Sequence, residues 1–222
     1  MKKGEFDVLV STFSEEVYKD EDFVYVNHPN DATFVHGKIY RRQYLLDNKI
    51  FWNNKLTIHE DSYFNYLGRA CAKEDRIRYC NDVFYLWKYR ANSVCREDKK
   101  YILKTLGQMV DSTESLAEEL LRRGQAHKAA YICFNFIYNT YYDMNKEEWR
   151  NEENKQYHDK FIKRFIKFYK KYSEVADLLK EEEKKNIICE TKNRKTSQGI
   201  FYEEFTYKDW IKSFDNYDIE GG

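Results

Sequence analysis

The chain has 222 residues, and its 38 Lys and Arg balance its 38 Asp and Glu, so the formal net charge is zero. A dedicated nucleic-acid binder normally carries a basic excess, and the balance argues against that class. Aromatic residues make up 18% of the chain, enough to build a sizeable core, which argues against global disorder. One Pro and eight Gly disfavour a turn-rich all-β sandwich and favour long helices.

The sequence also indicates where the protein resides. No stretch approaches the roughly 20 apolar residues of a membrane span, and the N-terminus has no small-residue cleavage site typical of a signal peptide. Five cysteines and five histidines are scattered singly, so neither a disulfide framework nor a zinc site is expected. We therefore expect a cytoplasmic protein with free thiols and without a transmembrane segment.

The first part of the chain predicts a short α/β region. β-Branched and apolar residues at 6–13 indicate a strand. A helix is expected to begin at Glu60, because two acids suit the positive end of the helix dipole and apolar residues follow at helical spacing. The other predictions are a loop with one edge strand over 14–33, a helix over 41–48, an irregular segment over 49–58 and two strands over 76–90.

The composition changes after about residue 96, and long helical patterns follow. We expect an α/β portion over 1–96 and a mainly helical portion over 97–222, packed as one body. Phe161, Phe165, Phe168 and Tyr172 recur on one side of a helix. The helices are predicted over 97–123 with Gly124 as the stop, over 126–144, over 147–185, and in a short C-terminal segment capped by Thr206.

Three local segments carry the residues with chemical potential: VHGKIYRR at 35–42, TIHEDSYF at 57–64 and FYLWKYRANSV at 84–94. Each has an ordinary interpretation when taken alone. The cations of the first segment can be a solvated helix start, and Glu60 and Asp61 can be simple N-terminal helix acids. Trp87 in a strand is usually a core residue, and Arg90 is usually exposed or ion-paired.

Taken together and in this order, the segments resemble the second half of the catalytic domain of family 2 glycosyltransferases. That family often shows a Gly-Lys-Leu-Tyr-Arg-Arg-like segment, an aromatic residue, a Glu-Asp dipeptide opening a helix, and a Tyr-rich strand ending in a basic residue. The counterparts here lie at 37–42, 51–52, 60–61 and 84–94. The resemblance covers about residues 5–96 and implies a partial GT-A fold, an α/β (here α+β) arrangement with a mixed sheet and flanking helices.

The resemblance implies an inverting sugar transfer from a nucleotide-sugar donor to a glycan or protein acceptor. The family's catalytic base falls on Asp61, and a carboxylate there could accept the proton of the attacking hydroxyl. Glu60, His59 and Trp87 would position the acceptor or its loop. The cations that could neutralise the diphosphate leaving group are Lys38, Lys88 and Arg90.

The chain departs from the family at its start. Full-length members begin with a nucleotide-binding half and an Asp-x-Asp turn that holds a divalent metal, Mn²⁺ or Mg²⁺, and neither precedes residue 5 here. Asp20-Glu21-Asp22 has these letters but follows the strand, so we interpret it as a charged surface loop and expect no metal ligand in this chain. We expect a fragment of a longer enzyme, a partner chain supplying the donor half, or an inactive homologue. In a lone half-sheet, the strand at 6–13 would be the exposed edge.

Two other interpretations stay open. The helical portion has no catalytic signature, so the chain could be a non-catalytic interaction protein with a degenerate glycosyltransferase half-domain. The basic aromatic segment 161–172 could contact a membrane surface or nucleic acid, although the net charge is zero and acids follow at 181–183.

Overall fold

A computed structural model describes residues 6–31, 33–91, 101–144, 151–197, 199–200 and 206–216. The chain divides into two compact units, Met1–Tyr101 and Ile102–Gly222. The boundary predicted at residue 96 lies outside the described residues. The first unit combines a sheet with helices, and the described part of the second unit is helical.

A mixed four-stranded sheet organises the described part of the first unit. Strand β1 pairs antiparallel with β2 through its residues 13–19 and antiparallel with β3 through its residues 8–10. Along its other edge, residues 8–15 of β1 pair in parallel with β4. The strands are β1 (Val8–Lys19), β2 (Asp22–His28), β3 (Lys38–Tyr40) and β4 (Ile77–Trp87).

The prediction that the strand at 6–13 forms an exposed edge is wrong. This segment is the first half of β1, which has neighbours on both edges. Its residues Val8, Val10 and Phe13 have no exposed surface. A continuous apolar run is typical of a strand that is covered on both faces, and an edge strand would show more polar positions.

The segment 14–33, predicted as a loop with one edge strand, contains the long hairpin of β1 and β2. The predicted edge strand is present within β2, but β1 itself continues to Lys19. Asp20 and Glu21 form the two-residue turn, with φ values of 51° and 68°, which is typical of a type I′ turn. The polar residues that suggested a loop are the exposed positions of a projecting hairpin.

The backbone conformation of this turn leads us to expect that one substitution will stabilise the first unit. Glu21 holds a left-handed conformation that is unfavourable for a residue with a Cβ. Replacing Glu21 by Gly removes this cost and creates an Asp-Gly turn, the preferred type I′ sequence. We expect a gain of about 0.5–1 kcal/mol in the free energy of unfolding of the first unit, measured by thermal melting. The matched change Glu74→Gly, at an exposed helical position with φ in the ordinary range, should not stabilise the chain.

The two strands predicted over 76–90 form one strand, β4. Ser11 of β1 pairs with Cys80 of β4. The next residue, Thr12, pairs with Val83, so residues 81–82 lie outside the regular ladder. The polar pair Asn-Asp therefore marks an irregularity within a strand, as at a β-bulge, and not the end of a strand.

In the described part of the first unit, two α-helices accompany the sheet, α1 (Arg42–Asp47) and α2 (Glu60–Ala70), and a short 3-10 helix (Glu74–Arg76) precedes β4. The helix predicted to begin at Glu60 is confirmed. A Cβ on Gly68 of α2 would lie 2.8 Å from the ring of Tyr40 on β3. Glycine at this position thus lets the helix approach the strand closely.

An ion-pair cluster anchors the start of the sheet. The carboxylate of Asp7, just before β1, lies 2.6 Å from Nη2 of Arg41 and 3.3 Å from Nη2 of Arg76. Burial acts to raise the pKa of Asp7, but hydrogen bonds from the two arginines outweigh it and hold the pKa below its usual value. Asp7 therefore joins the segments that precede β1, α1 and β4.

The Asp7→Asn substitution is expected to destabilise the first unit by about 1–3 kcal/mol, because two arginines lose their charged acceptor. A lowered folded pKa stabilises the fold above the unfolded pKa, near 3.9, and this contribution is lost as pH falls through the folded value. The free energy of unfolding of the wild-type protein should exceed that of the Asp7→Asn protein by the largest amount at neutral pH. This difference should decrease in acid. Urea unfolding across this pH range measures it, and a constant difference down to the lowest pH would contradict the role of the ionised carboxylate.

The second unit contains five described helices, α3 (Tyr101–Arg122), α4 (Ala126–Asp143), α5 (Lys155–Ala176), α6 (Glu181–Ser197) and α7 (Tyr207–Lys212). Gly124 has a φ of 70° and follows α3, which confirms it as the stop. Thr206 accepts a hydrogen bond from the Asp209 amide at 3.2 Å, which confirms it as the cap of α7. No described helix has the length and apolar character that a membrane crossing requires.

The single helix predicted over 147–185 is wrong, because α5 ends at Ala176 and α6 begins at Glu181. The intervening segment has no Gly or Pro to mark the break. A start signal is nevertheless present. The Lys180 amide donates to the Glu183 carboxylate at 3.3 Å, which is one half of a capping box.

Aromatic residues form the core of the second unit. Phe161, Phe165, Phe168 and Tyr172, predicted to share one side of a helix, are all buried on α5. The ring of Phe165 lies 5.4 Å from that of Trp210, which follows the Thr206 cap. The short C-terminal helix is thereby held against α5.

Candidate active site

Asp61 lies in the first turn of α2, where the sequence predicts the base. Its carboxylate is half-buried, and Oδ1 accepts a hydrogen bond from the Ser62 amide at 2.7 Å. His59 precedes the helix with a φ of 62°, a left-handed conformation that costs on the order of 1–3 kcal/mol for a residue other than Gly. Backbone geometry therefore gives this carboxylate a definite position.

The loop before β3 is tied to the helix that carries Asp61. Asp31 folds the loop, because its Oδ1 accepts hydrogen bonds from the amides of Thr33 at 2.9 Å and Phe34 at 2.7 Å. Asn65 of α2 is completely buried, and its Nδ2 donates to the Thr33 carbonyl at 2.7 Å. Its Oδ1 accepts from the Tyr40 hydroxyl at 2.8 Å. Loop, β3 and α2 are thus fixed as one framework.

Lys38 is a buried cation within this framework. Its side chain is completely buried, with Nζ 3.3 Å from the Asp31 carboxylate and 3.3 Å from the His36 carbonyl. Burial lowers the pKa of Lys38, and the negative charges of Asp31 and Asp61 oppose that shift. Its pairing with Asp31 makes Lys38 part of the loop's internal structure. Lys38 was predicted as a diphosphate contact, but its ammonium lies beneath the surface.

Aromatic rings of the loop before β3 pack against aromatic rings of β4. The imidazole of His36 is parallel to the ring of Tyr85 at 4.5 Å and to that of Phe34 at 5.7 Å. The indole of Trp87 lies 5.0 Å from the same imidazole. Burial lowers the pKa of His36, while the Asp61 carboxylate opposes the shift. Burial therefore favours the neutral form of His36, and the ring contact places this imidazole against Trp87.

His59 completes the cluster. Burial lowers the pKa of His59, and the carboxylates of Asp61 and Glu60 oppose this shift. The charge of Asp61 thus acts on His36, Lys38 and His59. A half-buried carboxylate at a helix start is a group that could accept a proton from a bound hydroxyl.

Lys88 and Arg90 are the two other cations predicted to contact the diphosphate. Both are exposed and follow the end of β4. Between them, the amide of Tyr89 donates to the Glu16 carboxylate at 3.1 Å. No ion pair or hydrogen bond found in the described part of the chain joins either cation to Asp61.

Three residues of the cluster were not predicted to act there: Asp31, His36 and Asn65. His36 belongs to the segment at 35–42, but no role was predicted for it. Asn65 was detectable as a single polar residue on the apolar side of a predicted helix. Asp31 was detectable only as a turn residue, since it accepts from the amides two and three residues ahead, and its pairing with Lys38 depends on the folded loop.

The residues of the first unit do not fit a divalent metal at the Asp20-Glu21-Asp22 segment. The first two residues form the exposed hairpin turn, and the Asp22 carboxylate accepts a hydrogen bond from the Phe23 amide at 2.7 Å. Within the described ranges, no group of three or more His, Cys, Asp or Glu is arranged to hold a metal ion.

No protein-family model, no curated protein and no solved structure matches this chain.

Proposed function

We propose that this chain is the acceptor-side part of an inverting glycosyltransferase of the family 2 type, with Asp61 as its general base. The observation that carries the proposal is the position of the Asp61 carboxylate, half-buried at the start of α2 and electrostatically coupled to His36, Lys38 and His59. The mixed sheet beside this helix is consistent with a GT-A-like arrangement.

The reaction is a single displacement. The acceptor oxygen forms a bond to the anomeric carbon of the donor sugar while the bond from that carbon to the diphosphate oxygen breaks. The nucleoside diphosphate leaves with the bond's electron pair, the anomeric configuration inverts, and the acceptor proton passes to Asp61. We assign to Asp61 a contribution from positioning, because the first turn of α2 holds its carboxylate in a defined place.

Other residues act on the acceptor and the leaving group. Trp87, held by Phe34 at 5.4 Å and His36 at 5.0 Å, offers an aromatic face to the apolar side of a sugar ring. Glu60 and His59 position the acceptor hydroxyl beside Asp61. Lys38 is a positioning residue that acts through Asp31 and the loop.

The diphosphate is neutralised by the two exposed cations, Lys88 and Arg90. The described residues include no group arranged to hold a metal ion. We therefore assign the binding sites for Mn²⁺ or Mg²⁺ and for the nucleotide-sugar donor to another part of the complete enzyme. The described cysteines Cys71, Cys80, Cys133 and Cys189 are free thiols, which supports placement in the cytoplasm.

The test is a transfer assay on the full polypeptide that the gene encodes, so that any donor-binding half is present. A panel of UDP-, GDP- and dTDP-sugars is supplied with Mn²⁺ or Mg²⁺ and mixed glycan acceptors, and release of nucleoside diphosphate is followed. We expect acceptor-dependent release and a product of inverted anomeric configuration. Release without inversion, or no release with any donor, would contradict the proposal and favour the non-catalytic interaction protein.

A further inference from the structure

The strand β2 forms one edge of the sheet. Among residues 6–31 and 33–91, where the structure describes the first unit, β2 pairs with β1 alone. All residues of β2 except His28 are exposed. An edge strand is usually protected by lysine, by proline or by a bulge. β2 contains neither lysine nor proline, and its register with β1 is regular throughout. This edge is therefore open to pairing with a further strand.

The two-residue turn of the hairpin fixes which backbone groups of β2 face outward. Because the turn consists of residues 20–21, Lys19 and Asp22 exchange hydrogen bonds across it. Hydrogen-bonded pairs then alternate along the two antiparallel strands. The residues whose amide and carbonyl groups point away from β1 are therefore Phe23, Tyr25 and Asn27. In agreement with this direction, the Phe23 amide donates to the Asp22 carboxylate at 2.7 Å.

We propose that two copies of the chain form a dimer by antiparallel pairing of their β2 strands, with the two-fold axis at Tyr25. In this register the backbone of Tyr25 faces the same residue of the second copy. Phe23 of each copy faces Asn27 of the other. All three outward-pointing residues then exchange amide-to-carbonyl hydrogen bonds, about six in total. The two-fold axis uses the same edge of both copies and therefore closes the assembly.

The side chains along β2 are complementary in the same register. Directly opposite residues of an antiparallel pair lie on one face of the sheet. Val24 meets Val26, and these side chains, 40% and 42% exposed in the single chain, cover part of each other's apolar surface. Asp22 meets His28, so that a carboxylate lies beside an imidazole at both ends of the pairing. The acidic turns at 20–21 lie at opposite ends of the dimer, roughly 20 Å apart, and therefore repel one another weakly.

The other edge of the sheet, formed by β4, is less suited to such pairing. Residues 81–82 interrupt its ladder with β1, and an irregularity of this kind protects an edge. Pairing of two seven-residue strands gives an interface at the small end of the usual range, so the dimer should dissociate on dilution. The proposed contact involves only β2 and would form whether or not the chain transfers sugar.

Sedimentation velocity of the chain over a concentration series tests the proposal. From about 10 μM to about 1 mM, the range of weak dissociation constants, we expect the 27.1 kDa monomer to convert into a species of twice that mass. A monomer at every concentration overturns the proposal and leaves the edge to an extended segment of a different protein. An open-ended polymer also overturns it, because a two-fold contact cannot produce one.

A proline at the two-fold position removes the amides at the centre of the pairing. The amide of Tyr25 points away from β1, so the Tyr25→Pro variant should keep the hydrogen bonds within the hairpin. Its dissociation constant should rise by at least about 10-fold, because two hydrogen bonds are lost. Tyr25→Phe is the matched control. It keeps the amide, loses only the hydroxyl that donates to Glu16, and should dimerise as the wild type does. Equal dimerisation of the two variants overturns the assignment.

Disulfide cross-linking in a glutathione redox buffer tests the register by a second route. Tyr25→Cys places two thiols opposite each other, with Cα atoms about 5.5 Å apart, which a disulfide can span, so a covalent dimer should form. Phe23→Cys is the matched control, because Phe23 is also exposed but its two copies would lie about 13 Å apart along the strands. The wild-type chain, which has an exposed Cys189, gives the background. No link at Tyr25 above this background, or an equal link at Phe23, overturns the proposed pairing.

Discussion

Replacing Asp61 by Asn is expected to lower the rate of sugar transfer by about 10²–10⁴-fold, the usual contribution of a general base. The amide keeps the size of the side chain and an oxygen that can accept from the Ser62 amide at the helix start. It cannot take the proton of the attacking hydroxyl. The rate constant kcat, measured at saturating donor in the assay described above, should therefore fall while the melting temperature stays within a few degrees.

A matched control separates catalysis from charge. Asp75→Asn removes the same charge from an exposed carboxylate in the turn before β4, and transfer should continue at the wild-type rate. Equal losses in the two variants would point to an electrostatic effect of the whole unit. A fully active Asp61→Asn protein would remove Asp61 from the mechanism.

The second large effect is expected in the core of the helical unit. Phe165 is completely buried and contacts the rings of Phe136, Trp210 and Phe214 at 5.4–5.9 Å. Truncation to Ala leaves a cavity between α5 and α7 and should cost about 3–5 kcal/mol. Because α7 contacts α5 through this ring, we expect the C-terminal helix to lose its protection first.

Urea unfolding followed by circular dichroism measures the loss, and hydrogen exchange locates it. Leu178→Ala is the matched control, since that apolar side chain is 60% exposed, and it should change the stability by less than about 0.5 kcal/mol. A Phe165→Ala protein as stable as the wild type would show that Phe165 is not part of a packed core.

The helix starts and stops show how far local sequence patterns can predict this fold. Glu60, Gly124 and Thr206 carry signals that act within one turn of the chain, and all three were predicted as the structure has them. The break between α5 and α6 was missed because no Gly or Pro marks it. Its signal is the acidic run at 181–183, which the sequence offers as an argument against membrane contact but which also suits the start of a helix.

The sheet shows the opposite case. The apolar run at 6–13 predicts a strand, but not which neighbours it has, since pairing joins residues far apart in the chain. Only the folded sheet makes β1 central. It also extends β1 to Lys19, where pairing with β2 supports polar residues that have no strand pattern of their own.

The sequence by itself determined the α/β character of the first unit, the helical second unit and the placement of Asp61 at a helix start, because each depends on neighbouring residues. The tertiary structure alone decided that Lys38 is buried against Asp31, that Asn65 ties the loop to α2, and that His36 packs against Trp87. These contacts join residues separated by up to 51 positions, and no local pattern encodes which of many polar residues will meet after folding.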